Sequence, residues 1–421
     1  MMEAILILGG GADQLPAVHA VNRLGLISVV ADINPSCLAS SYADYFINVS
    51  SKDVDNIIQA LSKIEGIKIA TVFVIGTDIP YIGSRIANKL GSWYPISLEL
   101  AELSVDKFEL KNILRQNGFS TPAVSKLNKS GGTDINFPCI VKPNLLAGSR
   151  GVHYVRSSAE FTSKIEEIKL NFPGSDILIE EFVDGIQISS EHIISRGEVF
   201  THGLALRNYE DTAVLLPSII ENGGIQCHPL AMTYLKLIEI EVKRLVALFK
   251  IDSSVLKFDL IINEGRVFIL EMAVRMSGGG FASAIIPYSL GFDYIRNSLG
   301  TLLGNEDSRD VLSRYSLTRN TKFEFVANRY LIAKRPFEYE KFEWATELYI
   351  ENALYVKSGD LCLRPKHHGE RTGVFVLKDK DLNSLKLRID NVYKKSKVNG
   401  APVNDFFCYL DSGSLEQVAK I

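Results

Sequence analysis

The sequence predicts an α/β protein that begins with a parallel α/β layer and continues as mixed α+β structure. Three observations carry this. Short apolar runs alternate with helix-period segments over the first ~75 residues, as in parallel sheets buried on both faces. A long apolar hairpin pattern occupies 255–273. The chain's 421 residues also amount to about three domains at roughly 150 residues each.

Taken in order, Ala4–Leu8 is a buried strand followed at once by Gly9-Gly10-Gly11. Residues 15–24 show helical spacing through Leu15, Val18 and Val21, and Gly25 ends that helix. Ile27–Ala31 is a second strand, 53–64 an amphipathic helix, and Thr71–Ile75 a third strand. Residues 104–117 form a helix with Leu110, Ile113 and Leu114 facing a core; Asn117-Gly118 caps it and Pro122 prevents continuation. Strands follow at 139–142 and 151–155, a helix at 158–170, and a strand at 177–183. Asp184-Gly185 turns the chain back into a strand over 186–195, and a helix runs near 230–249. Beyond the hairpin come short strands at 323–332, 353–357 and 372–377, then a helix at 381–394.

Composition narrows the function. Hydrophobic residues make up 46% and charged residues 23%, enough for true cores and against disorder. With 46 Lys plus Arg against 49 Asp plus Glu, the chain has no basic excess to hold nucleic acid, although a few local cations suffice for a small anion. The five scattered cysteines have no metal-ligand spacing and suit a reducing compartment. The N-terminal apolar run is too short for a signal peptide, and no stretch of ~18 apolar residues suggests a membrane span, so a cytoplasmic protein is expected.

The hairpin fixes a charged face. If Asn263-Glu264-Gly265 is a three-residue loop, Ile262 faces Arg266, Leu256 faces Met272, Phe258 faces Leu270 and Leu260 faces Phe268. A slip of one residue would mix the faces. The other face carries Lys257, Asp259, Glu271 and Ala273, with Asp259 and Glu271 diagonal neighbours roughly 7–8 Å apart. Two carboxylates so placed can converge on one divalent cation, and an all-oxygen donor set suits Mg²⁺. The competing reading is a cross-strand ion pair, since this register puts Lys257 opposite Glu271.

Two further motifs face a nucleotide. Lys142 ends a strand and precedes Gly148-Ser149-Arg150-Gly151, a loop whose backbone N–H groups can approach phosphate oxygens; a surface turn is the alternative. Glu180-Glu181-Phe182-Val183 ends another strand, where polar groups and backbone can meet a purine or simply face solvent.

The order of these motifs is more telling than any one. Lys107, Lys142 with its Gly-Ser-Arg-Gly loop, Glu180-Glu181-Phe182-Val183-Asp184-Gly185, then Asp259, Glu271 and Arg275 before Gly278-Gly279-Gly280 form a series that resembles the ATP-grasp superfamily. The resemblance runs from about Lys107 to Gly304, with a family-like α/β domain in front; the C-terminal ~110 residues are similar only in outline. It implies a pre-ATP-grasp domain over 1–95, a two-subdomain α+β core over 96–310 and a C-terminal α+β portion over 311–421 that completes the cleft.

It also implies roles. Lys107 and Lys142 match the ATP-phosphate lysines, and Gly148, Ser149, Arg150 and Gly151 the loop that closes over the phosphates. Glu180, Glu181, Phe182 and Val183 match the adenine strand, and Gln187 stands where an acidic ribose ligand is usual. Asp259 and Glu271 match the metal carboxylates, with Mg²⁺ expected and Mn²⁺ an alternative. Arg275 matches the arginine that stabilises the transferred phosphoryl group; with Lys142 it is a catalytic candidate. Ala273 departs from the family, which often has a ligating asparagine there, and Val274 replaces a common proline.

Arg207, His202, Gly278 and Gly279 are candidate substrate contacts, with a structural role for His202 as the alternative. The polar run His367-His368-Gly369-Glu370-Arg371 has two readings, a segment that reaches the active site and, as the better default, an exposed loop. Gly9-Gly10-Gly11 with Asp32 about 20 residues on suggests dinucleotide binding, but Gln14 occupies the third glycine position of that fingerprint. The resemblance thus implies an ATP-dependent, ADP-forming ligase joining a small carboxylate to an amine, with an amino acid as one substrate. Homodimers are frequent among similar proteins. The alternatives are a purine-pathway or carbamoyl-phosphate-type ligase, a phosphotransferase, a non-catalytic ATP-binding regulator and a dinucleotide-dependent oxidoreductase.

Overall fold

The computed structural model describes residues 1–127, 136–209, 212–304 and 308–409, the side chains of Thr212 and Ser308 excepted. The chain opens with a four-stranded parallel sheet in which strands β1 (Met2–Leu8), β2 (Ile27–Ala31), β3 (Tyr45–Ile47) and β4 (Ile67–Phe73) lie in the order β3-β2-β1-β4. β1 and β2 are buried almost throughout because helices Leu15–Arg23, Val54–Leu61 and Pro80–Leu90 pack on the sheet. β3 is additional to the strands expected from sequence, and β4 begins at Ile67, ahead of the expected start at Thr71. β3 has three residues, too few to show a period, and the first residues of β4 alternate around exposed Lys68.

A second layer follows. β5 (Val124–Lys126), β6 (Cys139–Pro143), β7 (His153–Val155) and β8 (Ile177–Glu181) form an antiparallel sheet in the order β5-β8-β6-β7, covered by helix Ser158–Asn171. Register Ile140↔Glu180 makes Lys142 and Glu180 diagonal neighbours on one face.

The large sheet has eight strands. β9 (Ile186–Ser195), β10 (Glu198–Arg207), β11 (Gly223–Gln226), β12 (Ser254–Asn263), β13 (Arg266–Ala273) and β14 (Phe325–Leu331) run in the order β13-β12-β9-β10-β11-β14, and strands Gly373–Asp379 and Glu351–Leu354 extend that edge. The late strands therefore continue the same sheet as the hairpin. Among the described residues, no helix is long and apolar enough to cross a membrane.

The hairpin departs from the expected register. Asn263 pairs with Arg266, leaving a two-residue turn in which Glu264 (φ 48°) and Gly265 (φ 75°) are both left-handed. A bulge then intervenes, because Leu260 pairs with Ile269 whereas Asp259 pairs with Glu271. The shorter turn alone would have thrown Glu271 to the other face, and the extra residue at Leu270 restores it. Asp259 and Glu271 thus stand directly opposite, not diagonally, and Lys257 faces Ala273 instead of Glu271.

Candidate active site

Helix Lys107–Gln116 is capped by Asp106, whose carboxylate accepts from the Phe108 and Glu109 N–H groups. Spacing of four residues puts Lys107 and Lys111 on one helix face. Lys107 Nζ donates to the Leu146 carbonyl at 2.8 Å and lies 3.9 Å from Glu271 Oε1. Lys111 was absent from the sequence-based site. Its Nζ sits 2.6 Å from Glu180 Oε1, and Lys142 Nζ reaches the same oxygen at 2.8 Å. Burial works against the Glu180 charge, but the two ammonium groups outweigh it and hold the carboxyl at about 2. Burial, aided by the repulsion of Lys142, pulls Lys111 down to about 7 even though Glu180, at 2.6 Å, favours its charge. A polar residue one turn after Lys107 on a buried face was the available signal.

The remainder of the adenine-strand candidates lie close by. Glu181 turns its carboxylate to the Ala123 N–H at 3.1 Å, so it braces the end of β5. Phe182 packs edge-on against Tyr154 at 4.8 Å, and Val183 and Gln187 are buried. In the glycine loop, Gly148, Ser149 and Gly151 have φ of 68°, 60° and 68°. A Cβ on Gly151 would fall 2.8 Å from the Phe172 ring, which requires glycine there. Arg150 is exposed. Contrary to the exposed-loop expectation, His368 reaches this loop: its Nε2 is 3.1 Å from Ser149 Oγ, and its N–H donates to the Gly148 carbonyl at 3.0 Å.

Asp259 is held by three groups. It accepts from Ser189 Oγ at 2.9 Å, from Arg207 Nη1 at 2.9 Å and from Lys257 Nζ. Burial raises its carboxyl, and Lys257 and Arg207 more than reverse this, keeping it well below the usual carboxylate range. Glu271 is partly exposed, with Lys107 as its nearest cation. Among the described residues no three carboxylate, imidazole or thiolate groups cluster tightly enough to hold an ion alone, and Ala273 contributes no donor. The two facing carboxylates fit Mg²⁺, which keeps waters and takes phosphate oxygens for the rest of its shell.

Arg275 joins the core to the first sheet. Its Nε donates to Asp78 Oδ1 at 2.7 Å, Nη2 reaches the same oxygen, and Nη1 donates to the Met276 carbonyl at 2.9 Å. Burial opposes the Asp78 charge, but Arg275 keeps that carboxyl below its ordinary value. Asp78 follows β4 and was not foreseen, nor was Asp13, whose Oδ1 accepts from the Gly279 N–H at 2.7 Å. Gly278 allows this approach: a Cβ there would lie 2.4 Å from Asp13 Oδ2 and 3.0 Å from Gly76 Cα.

Two substrate candidates already have partners within the chain. Arg207 divides its guanidinium between Asp259 and, at 2.7 Å, Glu221 Oε2; two half-buried anions already neutralise it. His202 is fully buried, stacks on Phe292 at 4.6 Å and pairs through Nε2 with the Leu312 carbonyl at 3.1 Å, so it belongs to the core. Burial pushes its ring down to about 3. The N-terminal glycines are also committed. Gln14 Oε1 accepts from the Gly11 N–H at 3.0 Å, and Asp32 Oδ2 from the Gly10 N–H at 2.7 Å. The acid expected at a ribose thus closes its own loop.

Comparisons with known proteins bear on this geometry. Residues 104–279 match the family model described as an ATP-grasp domain. The carbamoyl phosphate synthase large chain of Thermotoga petrophila is 23% identical over 348 residues, which cover 74% of this chain and 29% of that protein. The chain therefore spans under a third of the length of that relative. Among solved structures, L-amino acid ligase from Bacillus licheniformis superposes with a TM-score of 0.75 at 15% identity, over 94% of this chain and 98% of that one. Phosphoribosylglycinamide synthetase from Anaerococcus prevotii gives 0.71 at 15%, over 94% and 99%. At such identity these likenesses establish the fold: a parallel N-terminal sheet followed by antiparallel subdomains.

Proposed function

We propose that this chain, an ATP-grasp domain protein, is an ADP-forming ligase that joins a carboxylic acid to an amine through an acyl phosphate, with an amino acid as one substrate. The observation that carries the reading is the facing pair Asp259 and Glu271, with Lys107 beside Glu271. Lys142 and Arg275 supply the further cations of the proposed phosphate site.

In this reading Lys107 and Lys142 hold the ATP phosphates, and Gly148, Ser149, Arg150 and Gly151 cover them and exclude water. Glu180, Glu181, Phe182, Val183 and Gln187 shape the adenosine site. Mg²⁺, held by Asp259 and Glu271, would neutralise phosphate charge. The substrate carboxylate attacks the γ-phosphorus, the bond to the β-phosphate oxygen breaks, and ADP leaves. Arg275, fixed by Asp78, faces the charge that develops on the transferred group. The amine then attacks the acyl carbon, the acyl–oxygen bond breaks, and phosphate departs carrying an oxygen of the original acid. Gly278 and Gly279, against Asp13, line the acceptor side. Domains at 1–95, 96–310 and 311–421, a homodimer and a cytoplasmic location belong to the same proposal.

A second reading takes bicarbonate and ammonia as the acid and amine, favoured by the carbamoyl phosphate synthase relatives. A coupled ADP-release screen over pairs of amino acids, small carboxylates and ammonium separates these. ADP and phosphate are expected only when acid and amine are both present. AMP with pyrophosphate contradicts either ligase, and a stable phosphorylated product from one substrate identifies a phosphotransferase.

A further inference from the structure

The segment His367–Arg371 has no part in the ligase scheme above, yet it enters the cleft between two of its components. Its His368 meets the glycine loop twice, through Gly148 O at 3.0 Å and Ser149 Oγ at 3.1 Å. The Glu221 backbone N–H also points at His368 Nε2, at 3.4 Å. A backbone N–H can only donate, so Nε2 is the acceptor, the ring proton sits on Nδ1, and the Ser149 hydroxyl donates. The Glu221 carboxylate in turn binds Arg207 at 2.7 Å and Arg371 at 3.3 Å, and the Arg371 guanidinium lies over the Tyr330 ring at 3.8 Å. Arg207 continues to Asp259 at 2.9 Å. An unbroken path thus runs from the phosphate loop through His368, Glu221 and Arg207 to a metal carboxylate. Burial and the adjacent Arg371 keep the ring in the neutral form this geometry requires.

We propose that His368 is a positioning residue that ties the phosphate loop at Ser149 to Asp259 through Glu221 and Arg207, so that ATP and Mg²⁺ bind cooperatively. The inference rests on the ATP reading given above. The segment directly precedes strand Gly373–Asp379, which lies in the same sheet as the hairpin.

The test is calorimetric titration of the full chain with ATP in EDTA and with Mg-ATP, without acid or amine. Loss of the two Nε2 hydrogen bonds in His368→Ala should weaken Mg-ATP by about tenfold and shrink the factor by which Mg²⁺ improves ATP affinity. His368→Gln places an acceptor oxygen near the Nε2 position and should restore both values, whereas the shorter His368→Asn should not. Equal behaviour of the Gln and Asn variants, or wild-type Mg-ATP binding by the Ala variant, would overturn the proposal and leave the ligase reading intact. A wild-type chain that binds no Mg-ATP overturns the ligase reading and this inference with it. Should His368→Ala not fold, Ser149→Ala removes the other partner on a surface loop. It should show the same reduced Mg²⁺ effect, and an unchanged effect counts against the path.

Discussion

Glu180→Gln should be among the most destabilising single changes near the site. Glu180 is 3% exposed, and one of its oxygens receives Lys111 at 2.6 Å and Lys142 at 2.8 Å. The isosteric amide keeps the shape and removes the charge, leaving the Lys142 ammonium and the buried Lys111 amine without their shared anion. Breaking a buried pair in this way costs about 3–5 kcal/mol. The carboxyl, held at about 2 against an ordinary 4.5, gives an independent figure of about 3 kcal/mol. Urea unfolding at pH 7 measures the loss. The sharper readout is Lys111→Met combined with Glu180→Gln. Lys142 is 12% exposed and Lys111 1%, so removing Lys111 takes away the group with the least access to water. The double variant should recover most of the stability lost by the single one. A loss under about 1 kcal/mol for Glu180→Gln, or strictly additive effects, refutes the triad as drawn.

Three other outcomes follow from the same geometry. Asp78→Asn removes the anion that fixes Arg275; turnover should fall about a hundredfold with a smaller change in KM, and unchanged kinetics would detach Asp78 from the site. Gly278→Ala puts a methyl 2.4 Å from Asp13 Oδ2 and 3.0 Å from Gly76 Cα. It should cost about 1–3 kcal/mol in thermal or urea unfolding, and an unshifted transition would mean the first sheet does not sit against these glycines as described. Acid should weaken the fold steeply. Glu180 and Glu221 are held at about 2, so the stability they lend is complete above their ordinary value and is lost as pH falls through about 2. Glu191, pushed up by burial, works in the opposite direction. Circular dichroism against pH should place this part of the loss below pH 4.5, and Glu180→Gln should remove its share.

The parallel opening and the hairpin were legible because both rest on local periodicity. Asp259 and Glu271 were put on the right face for a reason that proved incomplete. The turn is one residue shorter than expected and a bulge at Leu270 compensates, and two such errors cancel in a pattern of period two. Lys111 was within reach of the helix period, but Lys107 alone carried the family resemblance. Asp13 and Asp78 were not legible, and for His368 the sequence offered the active site only as the lesser alternative to an exposed loop. Asp13 meets Gly279, Asp78 meets Arg275 and His368 meets Ser149, partners 266, 197 and 219 residues away. No composition or spacing rule connects such positions. Arg207 was found as a charge near the cleft, and only the structure shows that Glu221 and Asp259 already neutralise it.

The central claim is the acyl phosphate, and isotope transfer tests it most directly. Once the release screen has identified a working pair, the acid is supplied with both carboxylate oxygens as ¹⁸O, and the released phosphate is examined by mass spectrometry. One labelled oxygen per phosphate, with none in ADP, is the predicted result. Unlabelled phosphate, or label appearing in AMP, would contradict the mechanism.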